Sequence, residues 1–337
     1  MSHWSEFEER AIGCMLGLAC GDALGRPVEF TTPAQIKRDH GQVTEMLGRG
    51  THNQSPGTIT DDTEMALCIA RSLAECERFH PQDIATRFVA WYDDGPFDIG
   101  GMTRRSLNRI KNGVSWETAG TQEWEESPEG RNAGNGSVMR CAPLAIAYAG
   151  YPAALVRTSI DSSRITHADP RCTYGCAVFN LTIAAALRGQ DTPLRTALKI
   201  LSEDLATSLQ QTTGVILDGA STVLESGVPD KLCAALEKVP GNVDSNELSN
   251  SGYVIDSLQT ALYDGLTAKS AEEAIVTAVN RGGDTDTIGA MAGAVAGARC
   301  GVSSLPDTWL RKIDHQNEIE ELTTALIAHP HANRKYE

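Results

Sequence analysis

Residues 282–301 read GGDTDTIGAMAGAVAGARCG. From Ile288 to Ala298 this stretch is small or apolar, and Gly289, Gly293, Gly297 and Gly301 recur at every fourth position. That period puts the four on one stripe of a helix. A stripe without side chains lets neighbouring helices cross at close range. The run Ile288 to Ala298 is too short to span a bilayer and is flanked by Asp286 and Arg299, so the stripe is expected in a central core helix. Just before it, Asp284 and Asp286 stand two residues apart, where a non-helical backbone turns alternate side chains the same way. Gly282 and Gly283 give that backbone the freedom to bend.

Helical spacing extends outward from this segment. Glu8 to Ala19 is apolar on one face through Ala11, Ile12, Met15, Leu16 and Ala19, and Thr63 to Cys76 repeats the pattern with Met65, Ala66, Ile69 and Leu73. Similar patterning predicts helices near Pro81–Tyr92, Pro143–Tyr148, Tyr174–Leu187, Pro193–Gln210, Val254–Gly265 and Ala271–Val279. Alternating strands are absent, so the fold class is all-α. Two polar stretches, Gly120–Gly136 and Val239–Gly252, read as loops, but the patterning is alike on both sides of each. The expectation is one domain over residues 1–337, with a core from about 8 to 305.

The chain has 337 residues, 41% of them hydrophobic and only 5% aromatic. That suits closely packed helices better than a large aromatic core. A formal charge of −15 argues against a nucleic-acid backbone or an anionic membrane surface as partner. A small anion stays admissible where bound cations supply local positive charge. The nine cysteines form no CxxC pair and no zinc-ligand set, which is the usage of reduced, buried thiols. The acidic N-terminus has no signal-peptide pattern. A soluble, cytoplasmic, monomeric protein is expected.

Two acidic clusters carry the chemistry. Thr60-Asp61-Asp62-Thr63-Glu64 precedes one helix and Asp284-Thr285-Asp286-Thr287 opens another. Each can be read as a helix cap: Asp61 with Glu64 resembles a capping box, and Asp286 or Thr287 is the natural cap of the second. Capping leaves the adjacent second carboxylate unexplained. Pooled, the clusters offer four aspartate carboxylates and at least two hydroxyls, all hard oxygen donors with no His or Cys. That set suits Mg²⁺ or Mn²⁺ better than zinc or copper. Four carboxylates massed without cations would repel one another, which makes a metal pair attractive. Spacing alone does not establish that the clusters meet.

Four further features each admit two readings. Gly134-Asn135-Gly136-Ser137 is either a simple turn or a nest of backbone N–H groups for phosphate. His167 is either a satisfied structural histidine or a ligand-binding one. Tyr253, at a helix start, is either core or a stacking platform. Asp98, among Trp91, Tyr92 and Phe97, is either an acceptor of backbone bonds or a half-buried acid with a raised pKa.

With these stand Gly17-Leu18-Ala19-Cys20-Gly21-Asp22-Ala23-Leu24-Gly25, Glu29, Asp98-Ile99-Gly100, Gly134 to Arg140, Thr166-His167, Gly252-Tyr253-Val254 and Asn280 to Thr287. In that order they resemble the ADP-ribosylglycohydrolase family, particularly the type that reactivates ADP-ribosylated dinitrogenase reductase. The resemblance runs from about Ala11 to Gly301. It implies a compact all-α domain with two Mg²⁺ or Mn²⁺ ions in a central cleft, held by Thr60, Asp61, Asp62, Asp284, Asp286 and Thr287. It implies substrate binding by Gly100, Gly134, Asn135, Gly136, Ser137, His167 and Tyr253, and catalytic parts for Asp98, Asp62 and Glu29. The position after Gly100, asparagine in the nitrogenase-type members, is Gly101 here, which removes an amide from the side of the modified protein. The segment from about Pro193 to Asn250 is longer than in compact members.

The implied reaction is hydrolysis of the N-glycosidic bond from ribose C1″ to an arginine guanidinium, acting on an ADP-ribosylated protein and yielding ADP-ribose. Asp98 or Asp62 would assist proton transfer. Two alternatives remain. The same fold acts on a serine, ester or free ADP-ribose linkage, or the protein binds ADP-ribose or a toxin without catalysis.

Overall fold

The computed structural model describes residues 5–201 and 230–328. In chain order the helices are α1 (Glu6–Gly25), α2 (Pro33–His40), α3 (Asp61–Cys76), α4 (Pro81–Asp93), α5 (Gly101–Lys111), α6 (Trp116–Glu126), α7 (Ala142–Ala147), α8 (Pro152–Arg164), α9 (Pro170–Leu187), α10 (Asp230–Leu236), α11 (Val254–Thr267), α12 (Ala271–Asn280), α13 (Thr285–Cys300), α14 (Asp307–Leu310) and α15 (Gln316–Ala328). Residues 193–201 are also helical. The rest of the helix expected over Pro193–Gln210 lies outside the described residues, as do 202–229 of the long central segment. The only extended pairings among the described residues are two isolated bridges, Arg49–Gln54 and Gly134–Tyr253. The all-α expectation is met.

At the centre α1 and α13 lie antiparallel, with α11 and α12 packed on α13 and α9 beside it. Every residue of α1 from Ala11 onward is buried, as is every residue of α13 from Thr285 to Ala298. The one-sided face expected for α1 is therefore too narrow. A helix that is small or apolar all round is enclosed all round. The glycine stripe of α13 meets a second stripe on α1. Gly13 faces Gly297, Gly17 faces Gly293 and Gly21 faces Gly289, each where an added Cβ would strike the opposite backbone. At Gly289 that Cβ would lie 2.7 Å from the Gly21 carbonyl oxygen. The pairing closes with Thr285 Oγ1 donating to the Gly25 carbonyl at 2.8 Å. It thus sets the C-terminal turn of α1 against the N-terminal turn of α13.

Several helices escape the sequence pattern, for visible reasons. The polar stretch after Gly120 begins inside α6, which buries only Ala119, Gly120 and Glu123. Its buried Glu123 is bound by Arg105, 2.6 Å away. Helix α8 buries Thr158, Ser159, Ser162 and Ser163, and Ser159 satisfies its hydroxyl on the Leu155 carbonyl. Hydroxyls on the inner face hide such a helix from a hydrophobic-period search. The Val239–Gly252 stretch is irregular, as expected. The thiols of Cys14, Cys20, Cys68, Cys141, Cys172 and Cys176 are buried. Among the described residues no helix is long and apolar enough to cross a membrane.

Candidate metal centre

The two acidic clusters meet. Thr287 Oγ1, in the first turn of α13, lies 3.3 Å from Asp62 Oδ2, in the first turn of α3, across 225 residues of chain. Thr60 Oγ1 lies 3.2 Å from the same oxygen. The cap readings fail at both helices. Thr60 occupies the N-cap of α3 and Asp284 that of α13, and neither side chain caps its helix. Instead the first turn of α3 faces that of α13 through Asp62 and Thr287, with both positive helix ends turned toward the site.

Asp22, on the last turns of α1, sets the Thr60–Thr63 backbone. Its carboxylate accepts the Thr60 N–H at 3.0 Å, Thr60 Oγ1 at 2.9 Å, the Thr63 N–H at 3.2 Å and Thr63 Oγ1 at 2.5 Å. Asp61 Oδ2 accepts the Gly100 N–H at 3.3 Å. On the far segment, Gly282 and Gly283 take φ values of +73° and +77°. A Cβ on Gly282 would lie 2.6 Å from the Thr31 carbonyl oxygen. The Gly283 N–H donates to that carbonyl at 2.8 Å, and the Phe30 N–H donates to the Gly283 carbonyl at 2.7 Å. This draws Glu29 in, so that ligand oxygens of Glu29, Asp284 and Asp286 lie within 4.8 Å of one another.

Such crowding has an electrostatic signature. Burial raises Asp61, Asp62 and Asp286 well above the ordinary carboxylate range, and neighbouring carboxylates add to it. Burial also raises Asp284 and Asp98, and pushes Asp22 up to about 6 and Glu29 up to about 9. Asp98 shows a part of both its readings: burial raises it, while His52 and a backbone hydrogen bond from Ile99 oppose the rise. Asp62 Oδ1 is fully buried with no hydrogen-bond partner among the described residues. A buried carboxylate oxygen left so is costly unless a cation takes it. Hard oxygen donors, mutual repulsion and this unpartnered oxygen together fit divalent cations of the Mg²⁺ or Mn²⁺ kind.

Beside the centre, Asn135 Nδ2 donates to Asp284 Oδ2 at 2.7 Å and its N–H to the Gly252 carbonyl at 3.1 Å. The loop of Asn135 is thereby joined to Tyr253, whose neighbour Val254 donates to the Ala133 carbonyl. The N–H groups of Gly136 and Ser137 have no protein acceptor among the described residues. Beneath them lies His167, buried, with Cε1 and Nε2 at 3.0 and 3.2 Å from where a Gly136 Cβ would stand. Arg140 donates to Thr166 Oγ1 at 2.6 Å, and the same hydroxyl bonds His167 Nδ1 at 2.8 Å. With Thr166 as the donor in that bond, the ring proton of a neutral His167 sits on Nε2, on the loop side. Burial, with Arg140 and Arg105 nearby, lowers His167 to about 3 and keeps it neutral. Tyr253 is half-buried with the Arg171 guanidinium 5.8 Å from its ring centre, and Arg171 is held bidentately by Asp169.

A family model described as ADP-ribosylglycohydrolase matches residues 4–335. The chain belongs to the ADP-ribosylglycohydrolase family. Members are hydrolases, and the acidic groups Glu29, Asp284 and Asp286 are close enough together to hold a metal ion. The chain is 32% identical over 322 residues to the ADP-ribosyl-[dinitrogen reductase] glycohydrolase of Rhodospirillum rubrum, covering 95% of this chain and 96% of that protein. It is 30% identical to an ADP-ribosylarginine hydrolase of Pseudomonas putida, covering 95% and 78%. A solved structure described as an ADP-ribosylglycohydrolase-related protein complex superposes with a TM-score of 0.76 at 32% identity, covering 96% of this chain and 99% of that one.

Within this ADP-ribosylglycohydrolase, Thr60, Asp61, Asp62, Asp284, Asp286 and Thr287 fall in one place, with Glu29, Asp98 and Gly100 beside them. Gly134 to Ser137, His167 and Tyr253 adjoin through Asn135. Gly101 opens α5, and the space a side chain would take there lies 3.1 Å from Arg105 Nη1. Sequence reasoning missed Asp22, His52 and Arg171. Asp22 stands in the quoted Gly17–Gly25 motif, and a lone acid inside an apolar helix was the available signal. His52 and Arg171 carry no spacing that marks them.

Proposed function

We propose that this protein releases ADP-ribose from an arginine side chain of a modified protein by hydrolysing the N-glycosidic bond at ribose C1″. The observation that carries this is the Asp62–Thr287 contact at 3.3 Å, with Asp62 Oδ1 left unpartnered beside it. It makes one oxygen-lined centre out of two distant motifs. The arginine linkage is supported by the Pseudomonas relative, an ADP-ribosylarginine hydrolase 30% identical to this chain.

In this reading Thr60, Asp61, Asp62, Asp284, Asp286 and Thr287 hold two divalent cations, Mg²⁺ or Mn²⁺. When bound, such ions orient ribose hydroxyls and polarise water. The Gly136 and Ser137 N–H groups receive the diphosphate, with His167 Nε2–H below them as a neutral donor. Tyr253, its ring backed by Arg171, gives the adenine a flat apolar face. Asp98, whose burial favours the protonated acid, passes a proton to the departing guanidine nitrogen, with Asp62 as the other candidate. Glu29 lies between Asp98 and the Asp284–Asp286 pair. The same reading carries one domain, a monomer and a cytoplasmic setting. A single buried apolar cluster from Ala11 to Leu326 supports the first of these.

The test is a panel of arginine-, serine- and ester-linked ADP-ribosylated substrates scored for ADP-ribose release with Mg²⁺ or Mn²⁺. Release from the arginine conjugate, abolished by EDTA and restored by either ion, is expected. Preference for another linkage would move the assignment within the family. No release from any substrate would favour a binding protein.

A further inference from the structure

The loop between Gly48 and Thr58 is fastened more tightly than a surface loop requires. Arg26, fully buried, donates to the carbonyls of Leu47, Arg49, Ser55 and Thr58 at 2.9–3.3 Å. The Thr51 N–H donates to the Pro27 carbonyl at 3.2 Å, and Thr51 Oγ1 donates to the Glu29 carbonyl at 2.7 Å. Gly50 turns with φ +69° where Pro27 leaves no room for a Cβ. What these bonds hold out is the His52 side chain. Its Nε2 lies 2.5 Å from Glu29 Oε2 and 3.6 Å from Asp98 Oδ2, and its ring packs on Phe97 at 5.4 Å between centres. The first contact is a hydrogen bond, whereas the second is proximity of a ring nitrogen to a carboxylate.

Glu29 is the carboxylate shared by two groups. With His52 and Asp98 it forms one set of ligand atoms within 4.8 Å, and with Asp284 and Asp286 it forms another. Glu29 reaches both sets at once, with its Oε2 on His52. We propose that His52 is a positioning residue that holds Glu29 Oε2 toward Asp98, fixing these two carboxylates relative to each other for the reaction. The proposal deepens the hydrolase reading and rests on it for its kinetic arm only. His52 touches no substrate in this scheme. It acts through Glu29, as partners of catalytic and metal-binding side chains commonly do.

The experiment uses the full-length protein with His52→Ala and His52→Gln, the latter returning an N–H donor at similar reach. For ADP-ribose release from the arginine conjugate, His52→Ala should lower kcat roughly 10–100-fold and leave KM within about threefold. His52→Gln should recover most of that loss. Equal losses for both variants, an unchanged kcat, or a change in KM alone would overturn the proposal. A second arm needs no turnover: calorimetric titration with Mn²⁺ alone. Freed from His52, Glu29 Oε2 can add to the side that already lies within 4.8 Å of Asp284 and Asp286, so His52→Ala should tighten Mn²⁺ binding about threefold or more, and this gain should vanish in a Glu29→Gln background. Unchanged or weaker binding, or an equal shift in both backgrounds, would overturn it. If the wild-type protein releases ADP-ribose from nothing on the panel, the hydrolase reading falls, while the Mn²⁺ cycle still decides the role of His52.

Discussion

Asp62 places Oδ2 between the hydroxyls of Thr60 and Thr287 and leaves Oδ1 without a partner among the described residues. Replacing it with Ala removes the contact that joins the clusters, and ADP-ribose release should fall by roughly a hundredfold or more. Steady-state rates at saturating Mn²⁺ check this, and a variant with full activity would remove Asp62 from the centre. Asp22 is a different case, because its carboxylate collects four donors from Thr60 and Thr63. Asp22→Ala leaves buried N–H and O–H groups unpaired, and should cost about 1–3 kcal/mol as well as activity. A urea titration showing wild-type stability would refute that account. His167 carries a pH dependence of its own. Its folded pKa of about 3 lies below the unfolded value near 6.5, so the unfolded chain binds the extra proton between them. The stability it contributes is present above about pH 6.5 and is lost as pH falls below it. His167→Asn should flatten the unfolding free energy between pH 4 and 6.5, measured against the wild type.

At the scale of elements, the α1–α13 contact is a backbone-to-backbone surface, and its tolerance is correspondingly small. Gly21→Ala or Gly293→Ala would put a methyl into the opposite helix backbone. A cost of about 1–3 kcal/mol or more is expected, with loss of activity, because parting these helices also parts Asp22 from the α13 N-terminus. Gly175, in the middle of α9, is the control. A Cβ there meets only side-chain atoms, at 3.5–3.6 Å. Gly175→Ala should be neutral or stabilise by about 0.5–1 kcal/mol. Thermal unfolding of the variants separates the outcomes, and equal effects at Gly21 and Gly175 would contradict the close-packing account. The elements also show why reading by apolar period had uneven success. It found α3, α4, α9, α11 and α12, whose buried faces are apolar. It passed over α8, whose inner face is serine and threonine, and α6, which anchors on Glu123.

For the whole molecule, the consequence is a linkage between metal, pH and stability. Asp61, Asp62, Asp284 and Asp286 have folded pKa values raised above their unfolded ones by burial. Without cations the native state therefore binds more protons than the unfolded state, and their stabilising contribution is lost as pH rises through the folded values. Divalent ions that bind the folded state offset the repulsion and add stability by mass action. The rise in unfolding temperature on adding Mn²⁺ to the EDTA-treated protein should be larger at pH 8 than at pH 5.5. An equal rise at both would argue against the acidic cluster as the binding site.

The sequence by itself determined the helical class, the glycine stripe that requires close helix crossing, and the two oxygen-rich motifs, because all three are written in local spacing. The tertiary structure decided that the motifs converge, since residues 225 apart come together only when α1 and α13 close on each other's backbones. It also decided that Asp61 and Asp286, which the sequence could equally have used as caps, stand inside their helices behind Thr60 and Asp284 and serve the site instead. Asp22, His52 and Arg171 gained their places only there. Each acts on groups distant in the chain, and the work of such a residue is set by what folding brings against it.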